Sequence, residues 1–298
     1  MFSRNEILLM SSFLPAIVSA QSSTTKVLLD PTFRTPAAPG DAFIQDPHHV
    51  NVVKAVLLAI SLFFVAVSIS EARRFQTSVP FALAVSGIFC VVPEAVNNYI
   101  GGVYWTQSHD PKQILFMLMG REFDYYVAII WWSFASGVGV GLYAALMRGV
   151  STAKLWGILA LAVAADIILE EVLLAYGGIY LYFGHQPLTL NLFPCWWGFA
   201  NVSSLFLGVS LAFRYRMFFE GWRGVFLALL VPTCYIGAWT FCGMPTIFAI
   251  QGDFVPVVTE LAGLYTCLVA VLQSAVMLHL VLGRDLLTSE NVPQKKRQ

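Results

Sequence analysis

The chain of 298 residues is 58% hydrophobic and 11% charged, with a mean hydropathy of +0.72. That composition excludes an ordinary soluble globular domain. Its 17 basic and 17 acidic residues cancel to a formal net charge of zero, so no basic surface favours a nucleic acid as partner.

Met1–Ala20 has Arg4, an apolar stretch from Ile7 and Val18-Ser19-Ala20 before Gln21. This is the pattern of a secretory signal, with an uncleaved further helix as the alternative. Residues 21–50, with Pro31, Pro36 and Pro39, read as a polar lumenal tail. Residues 51–284 then hold seven runs apolar and long enough to cross a hydrocarbon core of about 30 Å. They are Asn51–Ser70, Val79–Tyr99, Asp124–Met147, Lys154–Tyr176, Leu190–Phe213, Gly224–Ile250 and Val255–Gly283. The expected fold class is all-α, a polytopic bundle of about seven transmembrane helices with the lipid bilayer as its first partner. Residues 285–298 form a basic tail.

Lys and Arg between spans are Arg73 and Arg74, then Lys112 and Arg121, then Arg148 with Lys154, then Arg214, Arg216 and Arg223, then Arg284 and Lys295-Lys296-Arg297 in the tail, so that the odd-numbered loops and the C-terminus are the basic ones. The positive-inside rule places those segments in the cytosol. Lys295–Gln298 also fits a dilysine retrieval address, which suggests the endoplasmic reticulum. Cys90, Cys195, Cys234, Cys242 and Cys267 sit inside spans at no ligand-like spacing, and the five histidines are scattered. The expectation is no metal and no cofactor.

The fourth span carries Asp166, Glu170 and Glu171. A charged residue near the bilayer centre costs about 2.5–3.5 kcal/mol on insertion scales, so these acids have to face protein, pair, or hold a proton. Asp166 and Glu170 are four apart and share a face, whereas Glu171 points about 100° away. Glu94, with Asn97 and Asn98, lies near the lumenal end of the second span, and Arg121-Glu122-Phe123-Asp124 precedes the third. Trp196, Trp197 and Asn201 belong to the fifth span and Glu260 to the seventh. With the topology above, all of these groups fall in the lumenal half. Arg121 could instead pair with Glu122 or Asp124 as a structural link, and Trp105 fits an interfacial aromatic belt.

Burial in an apolar medium favours the neutral form of a carboxyl in general, which suits such a group to donate a proton. Asn donors and aromatic faces beside it could orient an epoxide or olefin and shield a carbocation. Diphosphate ionisation would need a magnesium-binding acid cluster and several Lys or Arg, and this half offers almost no basic partner. A retinal opsin is excluded because the seventh span has no lysine.

Asp166–Glu171, the run Gly178-Ile179-Tyr180-Leu181-Tyr182-Phe183-Gly184-His185-Gln186-Pro187, and Phe193-Pro194-Cys195-Trp196-Trp197 through Asn201 resemble a group of bacterial and fungal integral-membrane proteins. The resemblance covers residues 85–215. Its fungal members include terpene cyclases of meroterpenoid biosynthesis, in particular the ascofuranone type. The resemblance implies a lipophilic isoprenoid substrate, a prenylated aromatic with a terminal epoxide, opened by an acid among Glu94, Asp166 and Glu170. Asn97, Asn98, Asp124, Trp196, Trp197, Asn201 and Glu260 would bind it, and a prenyltransferase and an epoxidase would act earlier in the pathway. The competing expectation is a transporter or proton-coupled carrier that uses the same intramembrane carboxyls. A seven-helix receptor is disfavoured by Met147-Arg148-Gly149 after the third span.

Overall fold

The computed structural model describes residues 38, 39, 44, 46–252 and 254–291. The signal expected over residues 1–20, most of the 21–50 tail and Lys295–Gln298 lie outside the described residues.

Seven long helices make up the described chain: α1 (Pro47–Phe75), α2 (Val79–Gly101), α3 (Tyr125–Met147), α4 (Thr152–Gly177), α5 (Trp196–Arg214), α6 (Gly221–Gln251) and α7 (Pro256–Val281). All but α4 are long and apolar enough to cross a membrane by length and composition. The acid-bearing α4 has 26 residues, a length of about 39 Å at 1.5 Å per residue. The protein is an all-α integral-membrane bundle. Its exterior exposes Phe63, Leu161, Ile168, Phe241, Phe248 and Leu261, a surface that only lipid solvates without penalty.

Local chemistry sets the helix ends. α1 begins four residues before the expected boundary, because Asp46 accepts the His48 N–H and Pro47 occupies the first turn. Residues 47–50 are therefore helix rather than tail. Arg73 and Arg74 face the negative end of the α1 dipole. α2 tightens to a 3₁₀ turn over Gly87–Cys90, just ahead of Pro93, whose missing N–H leaves the Phe89 carbonyl without its helical donor. α5 starts at Trp196, six residues later than expected. The intervening Leu190–Cys195 is a loop held by a Thr189–Pro194 bridge and by Glu171, whose Oε1 accepts the N–H groups of Asn191, Leu192 and Phe193 at 3.0 Å each. Glu171 thus turns away from Asp166 and Glu170, as its position on the helix requires, and does a structural job.

Four short strands, absent from the all-α expectation, occupy the loops. β1 (Val103–Trp105) pairs antiparallel with β4 (Tyr180–Tyr182), and β2 (Ile114–Leu118) with β3 (Arg121–Asp124). In the first pair Val103 stands opposite Tyr182 and Trp105 opposite Tyr180. Gly102, at φ 78°, makes the left-handed turn from α2 into β1.

α5 is the most buried of the six apolar spans, packed against α3, α4, α6 and α7, whereas α1 and α7 are the most exposed to lipid. α4 leans mainly on α5 and meets α1 and α3 only briefly. The aromatic core beside α5 joins Trp196, Trp197 and Trp239, with ring centroids 5.0, 5.6 and 4.5 Å apart.

That core depends on Gly101. A Cβ added there would lie 2.5 Å from the Trp197 ring and 3.1 Å from Trp239. Gly101→Val is expected to destabilise the detergent-solubilised protein by about 1–3 kcal/mol through overpacking. Gly237→Ala, whose added Cβ meets nothing within 4 Å, should leave the thermal midpoint unchanged or slightly raised. Melting curves of the two variants beside the parent check both expectations.

Candidate functional site

Each of the three acids expected to be catalytic lines one small cavity. Glu94 of α2 is 5% exposed and Asp166 of α4 is 2% exposed. Glu170, one turn after Asp166, completes the set. The remaining wall is Val103, Trp105, Ile130, Trp131, Phe134, Leu169, Tyr180, Tyr182, Trp197 and Asn201. The cavity measures about 20 Å³, room for a single water-sized group. Among the described residues no Lys, Arg or His lines it, so hydrogen bonds rather than cations answer the carboxyls.

Those hydrogen bonds join side chains of four helices, α2, α4, α5 and α6. The Tyr235 hydroxyl, from the middle of α6, donates to Glu94 Oε2 at 2.7 Å and stands 3.3 Å from Asn201 Oδ1. The Asn201 amide in turn donates to Asp166 Oδ2 at 3.1 Å. With its one proton on Glu94, the Tyr235 hydroxyl leaves two hydrogen-bonded pairs, Glu94–Tyr235 and Asn201–Asp166, abutting at the 3.3 Å approach of Tyr235 to Asn201. Glu170 is served separately: the Tyr180 hydroxyl donates to its Oε2, and the Tyr182 hydroxyl approaches the same oxygen at 3.5 Å. The strand period of two turns both tyrosines to one side of β4, and pairing with β1 fixes them there.

Aromatic rings enclose the carboxyls. Trp131 packs on Tyr235 at 4.5 Å, Trp105 on Tyr180 at 4.4 Å, and Trp197 on Tyr182 at 5.6 Å. The indole N–H groups of Trp105 and Trp197 are buried and have no hydrogen-bond partner among the described residues. Buried donors normally have acceptors, so two lining residues have a donor to offer an oxygen-bearing guest.

The other residues expected from sequence divide clearly. Trp197 and Asn201 reach the cavity. Asn97 and Asn98 are fully buried, Asn97 facing Tyr235 and Asn98 facing Glu94, but both stand behind the lining. Trp196 is buried outside it and donates to Gln186 Oε1 at 3.3 Å. Asp124 caps α3 in position and accepts from Ser108 at 3.1 Å, away from the cavity. Glu260 is half-exposed, 3.2 Å from His185 Nε2, and accepts the Leu188 N–H at 2.9 Å. Asp124 and Glu260 hold loops instead of lining the chamber. Arg121 lies over the rings of Tyr99 and Tyr104 at 4.3 and 4.9 Å and donates to the Val103 carbonyl, while Glu122 is engaged by His109 at 3.1 Å. Burial lowers the tendency of Arg121 to hold its proton below the usual guanidinium range.

Four lining or linking residues were not singled out from sequence as site residues. Trp105 belongs to the cavity wall rather than to an interfacial belt; it is 5% exposed. Tyr180, Tyr182 and Tyr235 were missed because a tyrosine in an apolar stretch reads as packing. Only the Tyr-x-Tyr spacing of the first two hinted at a shared face.

No family model, curated protein or solved structure matches the chain. Among the described residues no group of three or more His, Cys, Asp or Glu is arranged to hold a metal ion.

The Glu94–Tyr235 pair makes a distinct prediction about stability. Tyr235→Phe strands Glu94 in a buried place, at a cost of about 1–3 kcal/mol. Glu94→Gln alone keeps an acceptor for the tyrosine and should cost less. A double-mutant cycle on the two positions, read by denaturation in detergent, should show a coupling of at least about 0.5 kcal/mol. Strict additivity would mean that the link carries no energy.

Proposed function

We propose that the protein is a membrane-bound terpene cyclase that opens an epoxide on a prenylated aromatic and closes a ring, as in meroterpenoid biosynthesis. The observation that supports this most is the convergence of Glu94, Asp166 and Glu170 on one aromatic-walled cavity without a cation. Carboxyls placed in this way have no permanent counter-ion, and their natural chemistry is proton donation and return.

In this reading one of the three carboxylic acids gives its proton to the epoxide oxygen, and the C–O bond to the more substituted carbon breaks. An internal hydroxyl or alkene supplies its electron pair to that carbon. The proton it releases passes to a second carboxylate, so substrate and product are isomers. Hydrogen bonds from Tyr235 to Glu94 and from Asn201 to Asp166 hold the two carboxyls in place for the donor and acceptor roles. The faces of Trp131, Trp105 and Trp197 stabilise the developing cation where water is excluded. The unpartnered indole N–H groups of Trp105 and Trp197 suit the epoxide or hydroxyl oxygen.

The basic loops and tail support a cytosolic C-terminus, and residues 295–298 an endoplasmic-reticulum address. A prenyltransferase and an epoxidase would supply the substrate there.

The same cluster of intramembrane carboxyls also favours a second reading, a transporter or proton-coupled carrier. The two part on product and flux. Purified protein given an epoxyfarnesyl phenol should yield a cyclised isomer of unchanged mass. Asp166→Asn with Glu170→Gln should lower turnover by about 10²–10⁴-fold, the range of general acid–base catalysis. Proton-dependent uptake into proteoliposomes with no isomer formed would replace the cyclase by the carrier.

A further inference from the structure

The carboxyl cavity of about 20 Å³ has room for one water-sized group, so no isoprenoid body fits inside it. A second, larger space adjoins it. A groove of about 370 Å³ runs between α1, α3 and α4, and Phe134 and Leu169 belong to its wall and to the wall of the carboxyl cavity. Its size falls within the range of small-molecule sites, about 300–1,000 Å³.

We infer that this groove seats the prenyl chain of the substrate, taken up sideways from the bilayer, with the chain's functionalised end directed past Phe134 and Leu169 to the carboxyls. This deepens the cyclase reading and rests on it for the nature of the reactive end.

The groove exists because the helices that form it are poor in bulk where they face one another. Gly137 and Gly141 of α3 and Ala162 and Ala165 of α4 line it, Gly137 lying against the Phe64 ring of α1, and α4 meets α1 and α3 only briefly. The remaining wall is apolar: Leu57, Ile60 and Phe64 of α1 stand on one side and Ile158 and Leu161 of α4 on the other. The single hydroxyl in the lining, Ser133, is already spent on the Ile130 carbonyl at 2.8 Å. Nothing there hydrogen-bonds a polar body or pairs with a charge, so the chemistry that fits is hydrocarbon. Leu161 at the rim is 69% exposed on the bundle exterior, which is lipid for a membrane protein, so a lipophilic molecule reaches the groove without crossing water.

A prenyl chain is favoured over the acyl chain of a bilayer lipid by what the groove leads to. A saturated acyl chain has nothing for an acid to protonate, whereas the end of an isoprenoid is an alkene or its epoxide. The shared wall places that end against Asp166 and Glu170. The polar aromatic part then lies at the outer mouth, and chain length becomes a specificity determinant.

Gly141 provides the test. It lines the groove, and an added Cβ there meets nothing within 4 Å, so Gly141→Leu starts its side chain into open space and takes up groove volume. Gly157 of α4 is equally open but lies outside the groove, and Gly157→Leu is the control. The purified protein in nanodiscs is labelled with a farnesyl phenol bearing a diazirine on the central isoprene unit, and the cross-linked peptides are read by mass spectrometry. Labelling is expected on the groove segments of α3 and α4, with about tenfold less in Gly141→Leu and no change in Gly157→Leu. With the epoxidised substrates, Gly141→Leu should raise KM for the farnesyl compound more than for the dimethylallyl one. Labelling elsewhere, equal labelling in Gly141→Leu, or displacement by oleate as effective as by unlabelled farnesyl phenol would overturn the inference. Groove labelling that Gly141→Leu abolishes, with no cyclised product from any epoxide, would uphold the groove as a prenyl site and reject the cyclase reading.

Discussion

The structure turns on three acids that have no base facing them. Carboxyl groups brought into a bilayer cost several kcal/mol unless something answers them, and the usual answer, an Arg or Lys across the interface, is missing from the lining of this chamber. Tyrosine and asparagine answer them instead. Tyr235, Tyr180, Tyr182 and Asn201 arrive from α6, a short strand and α5. A single hydrogen-bonded group is modest in net worth, about 1 kcal/mol, but leaving a buried partner unmet is expensive. The fold therefore has to bring these three segments to the acids of α2 and α4, and the packing of α5 at the centre of the bundle does so.

An arrangement of this kind differs from a structural ion pair in what it leaves free. A salt bridge fixes both charges, whereas a carboxyl held by hydroxyl and amide groups can still exchange a proton. The aromatic rings around it exclude water and offer their negative faces. Proton chemistry on a hydrocarbon needs both properties, and the adjoining apolar groove supplies the third requirement, a place for the rest of the molecule.

The acids were legible in the sequence because their cost in lipid is large and local. Asp166 and Glu170 share a face by simple helical spacing, and the same rule turned Glu171 aside. Depth alone misled at Glu260 and Asp124. Both lie at the correct end of their helices, but the rotation that decides whether a side chain points inward is set by packing, which an apolar stretch with little amphipathic pattern does not encode. The tyrosines and Trp105 were illegible for a related reason: their hydroxyl and N–H groups matter only once a partner from a distant segment is placed. The strands were missed because three residues such as Tyr180–Tyr182 are too few to show a period, and their partner, Val103–Trp105, lies in another loop.

That two-stranded ribbon links two loops far apart in the chain, and its alignment decides what Glu170 meets. Side chains along a strand alternate, so a slip of one residue would exchange their faces. Tyr180 and Tyr182 would swing outward and Leu181 would take their place, leaving the carboxyl against a methyl group. An inserted or deleted residue in either loop, far from any acid, would thus disarm the chamber as completely as removing the acid itself.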